Sequence, residues 1–266
     1  MITKLERTGL VITFGGSIIT LNVHEQKEIC IIHESKWAIS KKCGNKVYKI
    51  FLHDNYPKIQ KEVFLLKLST GQEVNLLFDS VNKHWVCESD YMELFPIVDN
   101  SFSNDLVSQI RNVFGVWRYD SRYRNAVMDE WSNVIVPWYC TLLQKYVSDS
   151  ERLIVWLQDS RSEHFIHGDF TLSNVYLDHN NKAVVIDFEN ATLGPLLWDE
   201  ATLVYSLIEQ KQYAVAKQLY EAFSCGKEIL HTICGIRLAQ GIRKPQNVQK
   251  RIEAYHYVLN YYSTIS

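Results

Sequence analysis

His167-Gly168-Asp169-Phe170-Thr171-Leu172-Ser173-Asn174, with Ile186-Asp187-Phe188 beginning twelve residues after Asn174, is the stretch whose reading decides the fold. Between the two lies a short hairpin. Val175-Tyr176-Leu177 reads as one strand, Asp178 to Lys182 as a turn, and Ala183 to Ile186 as the returning strand. Asp178, Asn180 and Asn181 are read as plain turn residues. The hairpin sets Asp169 and Asn174 on the loop entering it and Asp187 at its exit. Three oxygen-bearing side chains are thereby directed to one place.

That set suits phosphoryl transfer from a metal-bound nucleotide. Such a reaction asks a protein for positioning and charge neutralisation more than for covalent chemistry. Mg²⁺ takes oxygen ligands, and the Asn174 amide oxygen and the Asp187 carboxylate supply two. Asp169 stays off the metal and accepts, or orients, the proton of an acceptor hydroxyl. His167 braces the loop by hydrogen bonding, and Gly168 permits the tight backbone that aims Asp169.

The pattern HGDxxxxN followed by IDFE, here His167 to Asn174 and Ile186 to Glu189, resembles the aminoglycoside phosphotransferase and choline kinase family, distant relatives of protein kinases. The likeness continues through Ala191-Thr192-Leu193-Gly194-Pro195-Leu196-Leu197-Trp198-Asp199. By resemblance, Asp199 braces the catalytic loop. From its position alone it reads as the N-cap of a helix carrying Leu203, Val204, Leu207 and Ile208.

The resemblance implies a smaller lobe ahead of the catalytic one. Trp37 to Ser40 and Lys46 to Leu52 read as two strands around a turn at Cys43-Gly44-Asn45. Lys49 falls where the family carries its phosphate-contacting lysine. Lys46, an odd number of residues away, faces the other side of the strand. Lys58 to Leu68 reads as a helix, and its Glu62 is the natural partner for Lys49. Trp85 to Glu93 resembles the strand and hinge joining the lobes, with backbone at Asp90 and Met92 reading the adenine edge. One departure stands out. The loop over the phosphates should fall near His33-Glu34-Ser35-Lys36, which has no glycine; Ser35 is left to bond a phosphate through its hydroxyl and amide.

The 266 residues suffice for a real core and fit a two-lobed kinase. A formal net charge of −2 gives no global pull toward nucleic acid or anionic membrane. With 22% charged and 47% hydrophobic residues the composition is globular. The six cysteines form no CxxC and read as reduced, buried thiols of a cytoplasmic protein. Val11 to Phe14 and Ile18 to Leu21 around Gly15-Gly16 read as a hairpin rather than a signal peptide, and no segment is apolar for long enough to span a bilayer.

From Ser103 the pattern turns helical. Leu106, Ile110, Val113 and Phe114 recur at helical spacing, as do Trp131, Val134, Ile135, Trp138, Leu142 and Leu143, where Pro137 should kink or divide the run. Further helices are expected around Leu153 to Leu157, Leu219 to Leu238 and Val248 to Tyr262. Trp131, Trp138, Tyr255 and Tyr262 are read as core. The basic cluster Arg118 to Arg124 reads as a solvated face, though it could hold an acidic acceptor.

The expected fold is α+β, protein-kinase-like and two-lobed. A nucleotide-binding lobe of antiparallel sheet spans residues 1–95, and a mostly helical lobe with the catalytic loop, metal loop and acceptor site spans 96–266. The expected activity is transfer of the γ-phosphoryl group of ATP to a hydroxyl of a sugar, amino alcohol or related metabolite, with Mg²⁺ as cofactor and GTP as an open alternative. The acceptor and the oligomeric state are not readable. The competing reading is a pseudokinase or nucleotide-gated binding module. A protein kinase fits less well, because the loop has HGD and the metal segment lacks a DFG glycine.

Overall fold

The loop-bearing hairpin forms as expected in the computed structural model. Strands β10 (Val175–Leu177) and β11 (Ala183–Val185) pair antiparallel, Val175 opposite Val185. Asp178 closes the turn, its Oδ1 accepting from Asn180 N and Lys182 N at 2.8 Å each. The structure describes residues 10–14, 17–21, 29–34, 38–80, 82–97, 102–148, 150–243, 245 and 247–262, with backbone alone before residue 38. Ser35, Trp37 and the Gly15-Gly16 turn lie outside the described residues.

The chain divides into two units, Met1–Glu93 and Leu94–Ser266. The first holds a hairpin, β1 (Leu10–Phe14) with β2 (Ser17–Leu21), and a five-stranded antiparallel sheet. The sheet contains β3 (Ile29–Glu34), β4 (Ala38–Cys43), β5 (Lys46–Phe51), β6 (Val74–Asp79) and β7 (His84–Asp90), in spatial order β3-β4-β5-β7-β6. β5 is central, with Lys49 opposite Ser40 on one side and Cys87 on the other. Helix α1 (Tyr56–Thr70) is longer than its apolar pattern suggested, because both ends are capped. Asn55 Oδ1 accepts from Lys58 N at 3.3 Å, and Gly71, at φ 69°, ends the helix with its N–H on the Lys67 carbonyl. Its inner face buries Ile59 and Val63 with Ala38, Phe51, Val74 and Cys87.

The second unit is mainly helical. Its helices are α2 (Asn104–Tyr119), α3 (Ser121–Asn125), α4 (Val136–Tyr146), α5 (Glu151–Asp159), α6 (Trp198–Glu209), α7 (Tyr213–Phe223), α8 (Lys227–Arg243) and α9 (Val248–Tyr261). Ser103 caps α2, its Oγ accepting from Leu106 N. Pro137 divides its helical run as expected. A π-helical turn, Trp131–Ile135, precedes α4, and the proline sits in the first turn of α4, where a missing N–H costs nothing. Two small sheets complete the unit. β8 (Phe95–Pro96), the pair expected to mark the boundary between lobes, adds to β10-β11, and β9 (His164–Ile166) pairs with β12 (Thr192–Gly194).

The centre of this unit is aromatic. Trp117, Phe165, Phe170 and Phe188 are buried around His167, with Trp117 stacked on the imidazole at 6.0 Å between centroids. Trp131 and Tyr262 are core as expected; Trp138, at 42% exposed, is not. The described cysteines, Cys43, Cys87, Cys140, Cys225 and Cys234, are free and buried, and burial pushes the Cys87 thiol up to about 12. Among the described residues no helix is long and apolar enough to cross a membrane.

Candidate active site

The loop from His167 to Asn174 is held from three directions. Asp199, in the first turn of α6, accepts the backbone N–H of His167 at 2.6 Å through Oδ2 and that of Gly168 at 3.0 Å through Oδ1. Its side chain therefore braces the loop and does not cap α6, where Leu197 holds the cap position without a side-chain bond. Burial raises the Asp199 carboxyl to about 8, opposed by the His167 and Gly168 N–H groups. His167 Nε2 lies 2.9 Å from the Ile186 carbonyl, tying the loop to the residue before Asp187. Ile186 N donates in turn to the Asn174 carbonyl at 3.1 Å.

Gly168 has φ +80°, and a Cβ there would run into the Asn190 carbonyl oxygen. The backbone needs the left-handed region and has no space for a side chain. Asp187 also lies in that region, at φ 66° and ψ 59°, and precedes a 3₁₀ turn, Phe188–Asn190. Aspartate tolerates this conformation better than most residues, and backbone strain of this kind clusters at functional sites.

Asn174 ends a 3₁₀ turn (Leu172–Asn174) and is buried. Its Nδ2 donates to the Asp169 carbonyl at 2.8 Å, so Oδ1 is the end of the amide left to meet a cation. An amide oxygen and a carboxylate form a hard donor set that suits Mg²⁺. The Asp169 side chain is 33% exposed, and its Oδ1 receives Arg237 Nη2 of α8 at 2.6 Å.

Arg237 was not singled out from sequence. Asp169 is 68 residues away, and no local motif links them. The available signal is subtler. Arg237 sits between Ile236 and Leu238 in a helix buried on most sides, where a charged residue needs a partner. Arg118 and Arg122, read as a solvated face, bind within the unit: Arg118 pairs with buried Glu200, and Arg122 pairs with Asp120 at 2.6 Å.

In the first unit, Lys49 Nζ pairs with Glu62 of α1, as the strand and helix reading anticipated. Their side chains are 22% and 8% exposed, and such partial burial strengthens the pair over a surface one. Asp90 ends β7, and its carboxylate pairs with Lys46 at 2.8 Å. Tyr91 N donates to the Asn45 carbonyl, so that N–H is already engaged. Met92 follows outside any strand or helix, half-buried.

A sequence profile of the phosphotransferase enzyme family matches residues 131–230, the segment holding the His167–Asn174 loop, Asp187 and Asp199. No curated protein sequence matches significantly. Solved structures do. A ternary complex of a thermostable mutant of aminoglycoside phosphotransferase APH(4)-Ia with ADP and hygromycin B superposes with a TM-score of 0.63 at 14% identity, covering 90% of this chain and 95% of that one. Choline kinase LicA from Streptococcus pneumoniae gives 0.56 at 12% identity, over 88% and 94%. Amicoumacin kinase hAmiN, solved with AMP-PNP, Ca²⁺ and Ami, gives 0.58 at 8%, over 87% and 88%. The chain thus has the protein-kinase-like fold of these proteins, and the resemblance expected from its motifs is borne out.

Proposed function

We propose that this chain is an ATP-dependent phosphotransferase that modifies a hydroxyl group of a small molecule. The observation that carries this reading is the bonded frame of the catalytic segment. Asp199 fixes the backbone of the loop, His167 joins it to the residue before Asp187, and Asn174 is turned with its oxygen open to a cation. The family match over residues 131–230 supports the same reading.

In this mechanism Asp169 orients the acceptor hydroxyl through Oδ2, since Oδ1 is occupied by Arg237. Asn174 and Asp187 would hold the metal, and Lys49, kept in place by Glu62, would contact the phosphates. Asp90 and Met92 border the nucleotide base through backbone groups, and Ser35 contributes to phosphate binding. When bound, ATP would supply the phosphoryl group and Mg²⁺ would offset part of its negative charge. Among acceptors, the choices are a sugar, an amino alcohol or a related metabolite. The protein acts as a cytoplasmic enzyme.

The test is ATP consumption by the purified chain against a panel of alcohols, with Asp169→Ala and Lys49→Ala beside it. Asp169→Ala should bind nucleotide normally and lose transfer by about a hundredfold or more. Lys49→Ala should raise the KM for ATP. Transfer at the parental rate by Asp169→Ala would end the assignment. The rival reading, nucleotide binding without transfer, draws on the ion pair that engages Asp169, and it predicts ATP binding with no turnover on any acceptor.

A further inference from the structure

We infer that the acceptor is an anion, a hydroxylated carboxylate or phosphate ester, and that Arg237 is the residue that selects it. The inference rests on the phosphotransferase reading and adds the substrate class. A guanidinium offers five N–H donors in one plane. Arg237 gives Nη2 to Asp169 Oδ1 at 2.6 Å, a single-pronged contact. Among the described residues no other side chain or carbonyl takes its remaining donors, and the side chain is 23% exposed. A bidentate arginine–carboxylate pair would close both prongs of the fork. This one leaves most of its donors open beside the candidate base.

The residues around Arg237 keep it there. Its carbonyl accepts from Arg251 Nη1 at 3.0 Å, and Arg251 Nε donates to Glu209 at 3.1 Å. Gly241, where a Cβ would collide with Arg251 Cδ at 2.6 Å, gives that second arginine room to lie across α8. Tyr139 of α4 also responds to this pair. Burial raises its hydroxyl pKa; the Arg237 charge opposes the shift and the Asp169 charge adds to it, so the phenol feels both groups. Its ring stacks on Trp198 at 6.0 Å and 18°, which fixes its direction.

The side chain bonded to Asp169 is therefore a donor, the Arg237 guanidinium. An acceptor carrying a carboxylate or phosphate near its reactive hydroxyl can pair with the open face of Arg237 while Asp169 Oδ2 meets the hydroxyl. An ammonium-bearing acceptor would meet a like charge at the same place.

The experiment uses the full chain and ATP with three sets of acceptors: gluconate and glucose 6-phosphate, then glucose, then choline, ethanolamine and kanamycin. The expected result is turnover with the anionic set. Arg237→Gln should raise the KM for anionic acceptors by about ten- to a hundredfold, leave the KM for ATP unchanged, and erase the preference over glucose. Arg237→Lys, which keeps the charge, should recover part of the loss. Turnover confined to the neutral or cationic sets, with an acceptor KM unmoved in Arg237→Gln, overturns the inference and leaves the phosphotransferase reading standing. Absence of turnover in every set overturns that reading instead. Binding then decides on the anion: saturable thermal protection by gluconate or glucose 6-phosphate that Arg237→Gln abolishes supports it, and equal or absent protection in both proteins overturns it.

Discussion

Asp199 Oδ2 accepts the His167 N–H at 2.6 Å, while Oδ1 of the same carboxylate takes the N–H of Gly168 at 3.0 Å. One side chain thus satisfies two consecutive backbone donors, one buried and one part-buried, on the loop that presents Asp169. Asp199→Ala would leave both without a partner, at about 1–3 kcal/mol each. The expected outcome is a lower melting temperature and a fall in kcat larger than any change in the KM for ATP. Steady-state kinetics beside thermal melts check this, and unchanged kcat would show that the loop holds its shape without the clamp.

The same carboxyl gives stability a dependence on pH. Its folded pKa of about 8 lies above the ordinary value of 3.8, so between those values the folded chain holds a proton that the unfolded chain has released. Stability must then decline as pH rises through that window and level off above it. Asp199→Asn cannot ionise and should flatten this part of the curve. Melting temperatures from about pH 5 to pH 9 for both proteins make the comparison; parallel curves would place the proton elsewhere.

Gly168→Ala is expected to be far more damaging than an ordinary loop substitution. It combines a φ of +80° with a methyl group driven into the Asn190 carbonyl. Since that atom is backbone, the loop must move. Transfer should drop by at least about tenfold, with the loss in kcat, because Asp169 is the next residue. A variant with parental kinetics would mean that the loop can relax at no cost to its aim.

Arg118 and Glu200 form a pair with side chains 29% and 5% exposed. Burial pushes the Glu200 carboxyl up, and the arginine counters it. Removing the arginine alone strands a buried carboxylate, so Arg118→Ala should cost about 3–5 kcal/mol. Arg118→Met combined with Glu200→Leu should recover most of that, since no charge is then left alone. Denaturant melts of the two variants distinguish the cases, and equal losses would deny the coupling.

What was legible in the sequence was local. His167 to Asn174 and Ile186 to Phe188 flank a single hairpin, so spacing and turn chemistry were enough to read it. Lys49 and Glu62 were readable because a strand and the next helix are adjacent in sequence and each declares its period. Arg237 was not, since its partner lies on a loop distant in sequence and only packing joins them. Arg122 and Arg124 are exposed as read, but Arg118 was misjudged for the same reason: its helix looks polar there, and Glu200 is supplied by a segment 82 residues on. Asp199 showed the limits of capping rules. Its place near a helix start suggested a cap, but it is used for backbone donors outside its own helix.

The buried thiols give each half of the chain its own clock. Cys43 and Cys87 belong to the first unit, and Cys140, Cys225 and Cys234 to the second; all five are shielded from reagent in the native state. Alkylation at any of them reports an opening event. Mass tags read by peptide can therefore time the breathing of each unit separately, in one tube, without an engineered probe.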